Sequence, residues 1–213
     1  MLLTYQNTKQ GSEKSSSTER RLHFYERGEE IPLISQGIWQ VCQGVVQLGT
    51  FNPSGEETLL GWVQPLGFFG LWLTSIDVYH ARALSEVYLK WYSINEIESS
   101  PNLSQTVLNQ LVLRLRQTEA LLAISGIRLV EQRLIKLLTL LKREFGEPTE
   151  GGTRLGVRFT HQNIANVIGT TRVTVTRLLG EFQRQGLISF DGDRHLVIYP
   201  RFTDDQMEEL AFA

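Results

Sequence analysis

Along the first hundred residues the apolar positions alternate with polar ones. "WQVCQGVVQLGTF" sets Val41, Val45 and Val46 around Gly44, "NPSGEETLLGWV" opens on a turn rich in Asn, Pro, Ser and Gly, and "YHARALSEVYLKWYSI" adds further short apolar runs. Period-two patterning broken by glycine-marked turns predicts an antiparallel β-roll or small barrel over residues 22–99. From Ser100 the period changes. "SPNLSQTVLNQLVLRLRQTEALLAIS" opens with a capping serine and a proline at the first helical position, then places Leu108, Leu111, Leu115, Thr118 and Leu122 at steps of three and four. That spacing is a seam for a partner helix, and Val107, Val112 and Leu121 widen the apolar surface beyond one stripe. A dimerisation helix over residues 100–126, and with it a homodimer, is the expectation. A second helix, "IRLVEQRLIKLLTLLKREFG", sets Leu129, Leu134, Leu137, Leu138 and Leu141 inside, and "EPTEGG" reads as a linker.

The stretch "GTTRVTVTRLLGEF", Gly169 to Phe182, is ambiguous by propensity. Val173, Thr174, Val175 and Thr176 are β-branched and favour a strand. The flanking residues decide for a helix. Ile164, Ala165 and Ile168 share one helical face behind a capping Thr160, Gly169 stands where the chain must turn, and Val175, Leu178, Leu179 and Phe182 repeat at helical steps. Two helices meeting steeply across a short glycine turn, with a small residue at the crossing, form a helix-turn-helix. "GLISFDGDRHLVIYP" then gives two short strands around Asp191-Gly192-Asp193, a hairpin wing.

On that reading Arg172, Val173, Thr176 and Arg177 lie opposite the buried face and near the N-terminus of the second helix, where base edges are read. Arginine can pair bidentately with guanine, and valine and threonine methyls can touch a thymine methyl. Thr171 can cap the helix and donate to a phosphate. Charge supports a polyanion partner: the chain carries −2 overall, yet residues 154–203 hold seven Arg against three acids. The rival class is a ligand-binding or protein-interaction module whose winged helix meets a protein; the arginine face beside exposed threonines argues for double-stranded DNA instead.

Composition narrows the remaining classes. At 41% hydrophobic and 21% charged residues the chain reads as a globular, cytoplasmic protein, with no apolar run approaching the ~20 residues of a membrane span and no signal-peptide core. Residues 1–21, rich in Ser, Gln, Lys and Glu, read as a disordered lead-in. The single Cys42 excludes an internal disulfide and reads as a small buried hydrophobe. His80 has no second His or Cys at ligand spacing, so no metal site is expected. Trp62, Trp72 and Trp91 read as core or roll residues. No nucleophile–base pair or phosphate loop stands out, so neither an enzyme nor a cofactor is expected.

With roll, seam helix and winged helix in this order, residues 22–203 resemble the Crp/Fnr family of bacterial transcription regulators. The resemblance is most specific in "THQNIANVIGTTRVTVTRLLGEFQRQGLIS", with "RLRQTE" on the seam helix and "YHA" in the roll, and there it points to the nitrogen-regulator branch. It implies an α+β fold: an antiparallel β-roll of the cyclic-nucleotide-binding type, a dimerisation helix, and a winged helix-turn-helix over residues 127–213. It further implies DNA contacts at Thr160, His161, Gln162, Thr171, Arg172, Val173, Thr174, Thr176 and Arg177, and a palindrome of GTA and TAC half-sites eight bases apart. RNA polymerase is the implied protein partner, and nitrogen or carbon metabolism the implied setting.

For the roll, the resemblance implies an effector site at Phe69, Gly70, Leu71, Trp72, Tyr79, Arg114 and Glu119. The departures matter. Cyclic-nucleotide binders carry Gly-Glu and Arg-Ser-Ala, where this chain has Gly70-Leu71 and Tyr79-His80-Ala81, so cyclic AMP is not expected. The branch that binds 2-oxoglutarate has an arginine where this chain has Asp77. Weak or absent effector binding is the expectation, with a 2-oxoglutarate-responsive regulator as the alternative. Arg82 could supply the missing cation only through a bulge, since an unbulged strand turns it away from Tyr79.

Overall fold

The computed structural model describes residues 20–53 and 55–202. The expected lead-in, residues 1–21, falls outside the described residues except at its end. There Arg20 hydrogen-bonds the Glu96 carboxylate and lies 4.0 Å over the Tyr92 ring, so this residue is part of the packed molecule.

Alternation produces a roll of two antiparallel sheets. Strands β1 (His23–Tyr25), β2 (Gly37–Gln43), β3 (Val46–Phe51), β4 (Glu57–Val63), β5 (Phe68–Phe69), β6 (Tyr79–Ala83) and β7 (Val87–Ser93) arrange as β1-β7-β2-β5 and β4-β3-β6. Their inward residues, among them Trp39, Val41, Leu48, Val63, Phe69, Ala81 and Leu89, form the core between the sheets. Gly44 makes the β2–β3 turn at φ +82, where a Cβ would stand 2.0 Å from the Glu86 carbonyl oxygen. Cys42 corrects its expectation: it sits where the β2–β7 register slips, and is half-buried rather than buried.

Ser93 caps α1 (Ile94–Ser99), and Ser100 with Pro101 starts α2 (Pro101–Ser125), a 25-residue helix. Val107 of α2 packs with Ile38, Phe68 and Ile97, and Leu111 lies against the same cluster. The exposed stripe is therefore Leu108, Val112, Leu115 and Leu122, with Leu111 committed to the roll rather than to the seam. The next helix, α3 (Val130–Phe145), begins after Leu129. Leu129 corrects the inside assignment: it stands outside the helix and is 56% exposed.

The expected linker is a hairpin. Strands β8 (Gly146–Thr149) and β9 (Gly152–Leu155) pair antiparallel, and Pro148 is tolerated because β8 is an edge strand. After α4 (His161–Ile168) and α5 (Arg172–Arg184), strands β10 (Ile188–Phe190) and β11 (Leu196–Ile198) complete a sheet ordered β10-β11-β9-β8. The "EPTEGG" segment looks like a linker in one dimension because it buries little; the pairing of β8 with β9, and of β9 with β11, makes it part of a sheet.

One apolar cluster runs from the outer face of the roll (Val45, Leu59, Trp62, Leu84) through α3 into α4 and α5. Trp62, 2% exposed, meets the Phe145 and Phe159 rings edge-on at 5.8 and 5.4 Å. The winged helix is thus seated on the roll of its own chain.

Candidate nucleic-acid interface

The helix-turn-helix is built from its caps inward. The Thr160 hydroxyl accepts from the Asn163 backbone N–H, and the Asn163 side chain accepts from the Thr160 backbone N–H, a reciprocal capping box. Gly169 ends α4 in the left-handed conformation, φ 60 and ψ 55. Thr171 caps α5 by accepting from the Thr174 backbone N–H. Ala165 is fully buried at the crossing, where Ile164, Ile168, Val175, Leu178 and Leu179 interlock. The β-branched run is helical because burial of this face outweighs a propensity deficit of about 0.7 kcal/mol per residue or less. Its two valines end on opposite sides: Val175 is buried and Val173 is 78% exposed.

Around Val173 the exposed side chains of Arg172, Thr176 and Arg177 make one face at the N-terminal end of α5, with Thr171 exposed at its cap. Thr174 is half-buried, its hydroxyl 2.9 Å from that of Thr171. Arg177 donates to Glu181 at 2.6 Å one turn on, so reaching a base would exchange this pair for a new one. The Thr176 hydroxyl donates to the Arg172 carbonyl and sits 2.8 Å from His161 Nδ1, which must then be the protonated ring nitrogen. Burial lowers the pKa of His161, and the neighbouring Arg172 charge lowers it further. Gln162 is exposed and donates to Asn166.

A cleft of about 730 Å³ opens between the helix-turn-helix and the wing, lined by Arg158, Phe159, Thr160, His161, Gln162, Arg172, Phe190 and Arg194. Sequence reasoning missed Arg158 and Arg194. Arg194 stands at the wing turn with φ +62, an exposed cation across the cleft from Arg172. A basic residue at a hairpin tip was the available signal; Arg158 had none, since it reaches the cleft only through the fold. Not all the local charge is available, because Arg154 is engaged by Asp191 and Glu147 at 2.7 and 3.2 Å.

In the roll, the expected effector residues divide. Phe69 and Gly70 are buried, and Tyr79 points inward from β6. Burial holds the Tyr79 phenol above its ordinary range, and Arg114, charged and hydrogen-bonded to it, pulls the other way. Leu71 and Trp72 begin a short 3-10 turn; Trp72 is 44% exposed and borders a groove with Leu108 and Leu111 rather than the Tyr79 side. Glu119 is exposed on α2. Asp77 is exposed too, and Arg82 lies on the outer face of the unbulged β6, donating to Glu30 at 3.2 Å. Among the described residues no group of three His, Cys, Asp or Glu could hold a metal ion, and no helix is long and apolar enough to cross a membrane.

The Crp-like helix-turn-helix domain matches residues 132–201. Over 174 residues the chain is 36% identical to the regulatory protein CysR of Synechococcus elongatus, covering 80% of each chain. Over 192 residues it is 33% identical to the global nitrogen regulator of the same organism, covering 84% of this chain and 86% of that one. A solved CRP/FNR-family regulator from Thermus thermophilus superposes with a TM-score of 0.69 at 24% identity, over 91% of this chain and 99% of its own.

Proposed function

Since the chain belongs to the Crp/Fnr family of transcription regulators, and is of the type closely related to nitrogen regulators, we propose that it acts as a homodimer on a palindromic operator of GTA and TAC half-sites eight bases apart. The observation that carries this reading is the open face at the start of α5: Arg172, Val173, Thr176 and Arg177 stand in solvent on a rigid helix pair, flanked by Arg158 and Arg194. Arg172 and Arg177 read bases, and Arg158, Arg194 and Thr171 hold phosphates. Thr160, His161, Gln162 and Thr174 border that face at the two helix starts. The second copy meets the Leu108, Val112, Leu115 and Leu122 stripe, setting two recognition helices about 34 Å apart. Control of nitrogen metabolism is the setting that the nitrogen regulators among its relatives support, with RNA polymerase as the protein partner.

The test is binding to the palindrome and to random DNA across a salt series. Arg172→Ala is expected to cost about 1–3 kcal/mol on the palindrome and to relax preference at one base pair per half-site. Equal loss on both DNAs would overturn the base-reading role. No measurable binding to either DNA even at low salt would overturn DNA binding itself and favour a protein partner.

For the roll, we propose that DNA binding is substantially independent of effector. Arg114 lies beside Tyr79, Asp77 is an exposed anion two residues before that tyrosine, and Arg82 is committed to Glu30 outside. Arg82, on the outer face, does not join Arg114 in holding a dicarboxylate. Saturable binding of millimolar 2-oxoglutarate in calorimetry, abolished by Arg114→Ala, would overturn this.

A further inference from the structure

We propose that Glu57, on the outer face of the roll, is a positioning residue for DNA recognition: its carboxylate latches the first helix of the helix-turn-helix at one angle and so fixes the half-site spacing the dimer accepts. This rests on the DNA-binding reading above, but the latch itself is read from contacts within one chain. Glu57 Oε1 accepts from Gln47 Nε2 at 3.1 Å and from His80 Nε2 at 3.0 Å, both on the roll. Glu57 Oε2 accepts from Asn166 Nδ2 of α4 at 3.0 Å. Beside it, Asn163 Nδ2 of α4 donates to Gln47 Oε1 at 3.0 Å.

The directions of these bonds are forced. Asn163 commits its oxygen to the Thr160 cap, leaving only its amide to donate across the joint. Asn166 commits its oxygen to Gln162 Nε2 at 2.6 Å and does the same. Gln47 accepts from α4 with its oxygen and donates to Glu57 with its nitrogen. Every donor chain ends on Glu57, the one carboxylate of the network. The Glu57 and His80 side chains are 15% and 14% exposed, dry enough that a lost donor is not freely replaced by water. The His80 ring is itself preset: it stacks on Phe51 at 4.6 Å, and a Cβ on Gly49 would stand 2.6 Å from its Nε2.

The apolar joint seats the winged helix, and the hydrogen bonds add a sharper restraint on its angle. The contacts of Trp62 with Phe145 and Phe159 hold the winged helix on the roll, but apolar burial is non-directional, whereas hydrogen bonds weaken steeply off axis. Because α4 and α5 share one buried core, the angle of α4 on the roll is also the angle of the recognition helix relative to the dimer seam. Gln47, Glu57 and His80 therefore act on DNA through Asn163 and Asn166, without touching it.

The test is a polarity swap. Asn166→Asp sets a second carboxylate against Glu57 and is expected to open the joint. Adding Glu57→Gln restores it with the bond reversed, the new amide donating to Asp while its oxygen accepts from Gln47 and His80. Without DNA, a nitroxide pair at Glu86 and Gln183 in a Cys42→Ser background, on one subunit of mixed dimers, reports the angle. The distance distribution is expected to be narrow in the parent, broad in Asn166→Asp and narrow again in the double variant. On DNA, anisotropy with GTA and TAC duplexes of varied spacer should show Asn166→Asp losing about tenfold at the preferred spacer, while its preference for the half-site sequence persists and the double variant recovers. Should Asn166→Asp fail to fold, Glu57→Gln alone, which turns an amide nitrogen toward one of the three donors, gives the same broadening. An unchanged distribution in the single variants, or a double variant as broad as Asn166→Asp, would overturn the latch. A parent that binds no duplex would overturn the DNA reading while the distance measurement still decides the latch.

Discussion

Gln117 of α2 closes a gap that the roll cannot close by itself, and its replacement by leucine is expected to cost about 3 kcal/mol of stability. Strand β4 is the edge of its sheet, so an edge N–H such as that of Trp62 needs a partner from outside the sheet. Gln117, 8% exposed, supplies it: its Oε1 accepts from the Trp62 N–H at 2.9 Å while its Nε2 donates to Glu144 of α3 at 2.7 Å. Leucine fills similar volume but orphans the backbone donor, about 1–3 kcal/mol, and removes a bond to a carboxylate, about 1.5–3 kcal/mol, partly recovered as Glu144 turns toward water. For a chain of this length that is a fall of about 6–12 °C in Tm, read by calorimetry at fixed protein concentration. Gly61 offers an internal control. It sits at φ +142, and a Cβ there would meet Gln117 Oε1 at 2.4 Å. Gly61→Ala should therefore destabilise through backbone strain and through the displaced amide, and the second part should vanish in the Gln117→Leu background. A Gln117→Leu protein within about 0.5 kcal/mol of the parent, or strictly additive single and double variants, would refute the edge-capping role.

Burial raises the pKa of Glu144 more than the Gln117 bond and the Arg143 charge lower it, so the folded state holds this proton more tightly than the unfolded one. Stability from this group is complete below the unfolded carboxylate pKa and falls as pH rises through the folded value; Glu144→Gln is expected to raise Tm at neutral pH and to lose that advantage in acid, as followed by melting across pH. His161 has a lowered pKa in the free protein, and an adjacent DNA phosphate would raise it, so operator binding takes up protons: affinity should fall as pH rises through that window, and the slope should flatten in His161→Gln, measured by anisotropy against pH. Leu115→Arg, at a residue 58% exposed on the α2 stripe, should weaken self-association by at least about tenfold in sedimentation while leaving the helical circular dichroism of the subunit intact.

The winged helix was legible in one dimension because its determinants are local. Thr160 and Thr171 cap, Gly169 turns, and Ile164, Ala165, Val175 and Leu178 repeat at the helical period within about twenty residues. The same holds for Ser100 and Pro101 at the start of α2 and for the alternation that builds the roll. What the sequence alone determined, then, is the kind and order of the roll strands, the seam helix and the helix-turn-helix, and the face of α5 left in water, since each depends on side chains a few positions apart. Tertiary structure decided the rest. It paired the supposed linker with β9, because a strand with little to bury is recognised only by its neighbour; it turned Leu111 toward the roll and left Val112 outside, because two registers of one helix fit the same spacing. It brought Arg158 and Arg194 to the cleft beside the start of α5, and joined Gln47, Glu57 and His80 to Asn163 and Asn166 in a segment distant along the chain. Polar side chains carry no periodic signature, and their bonds form only where packing has already brought distant segments within about 3 Å of each other.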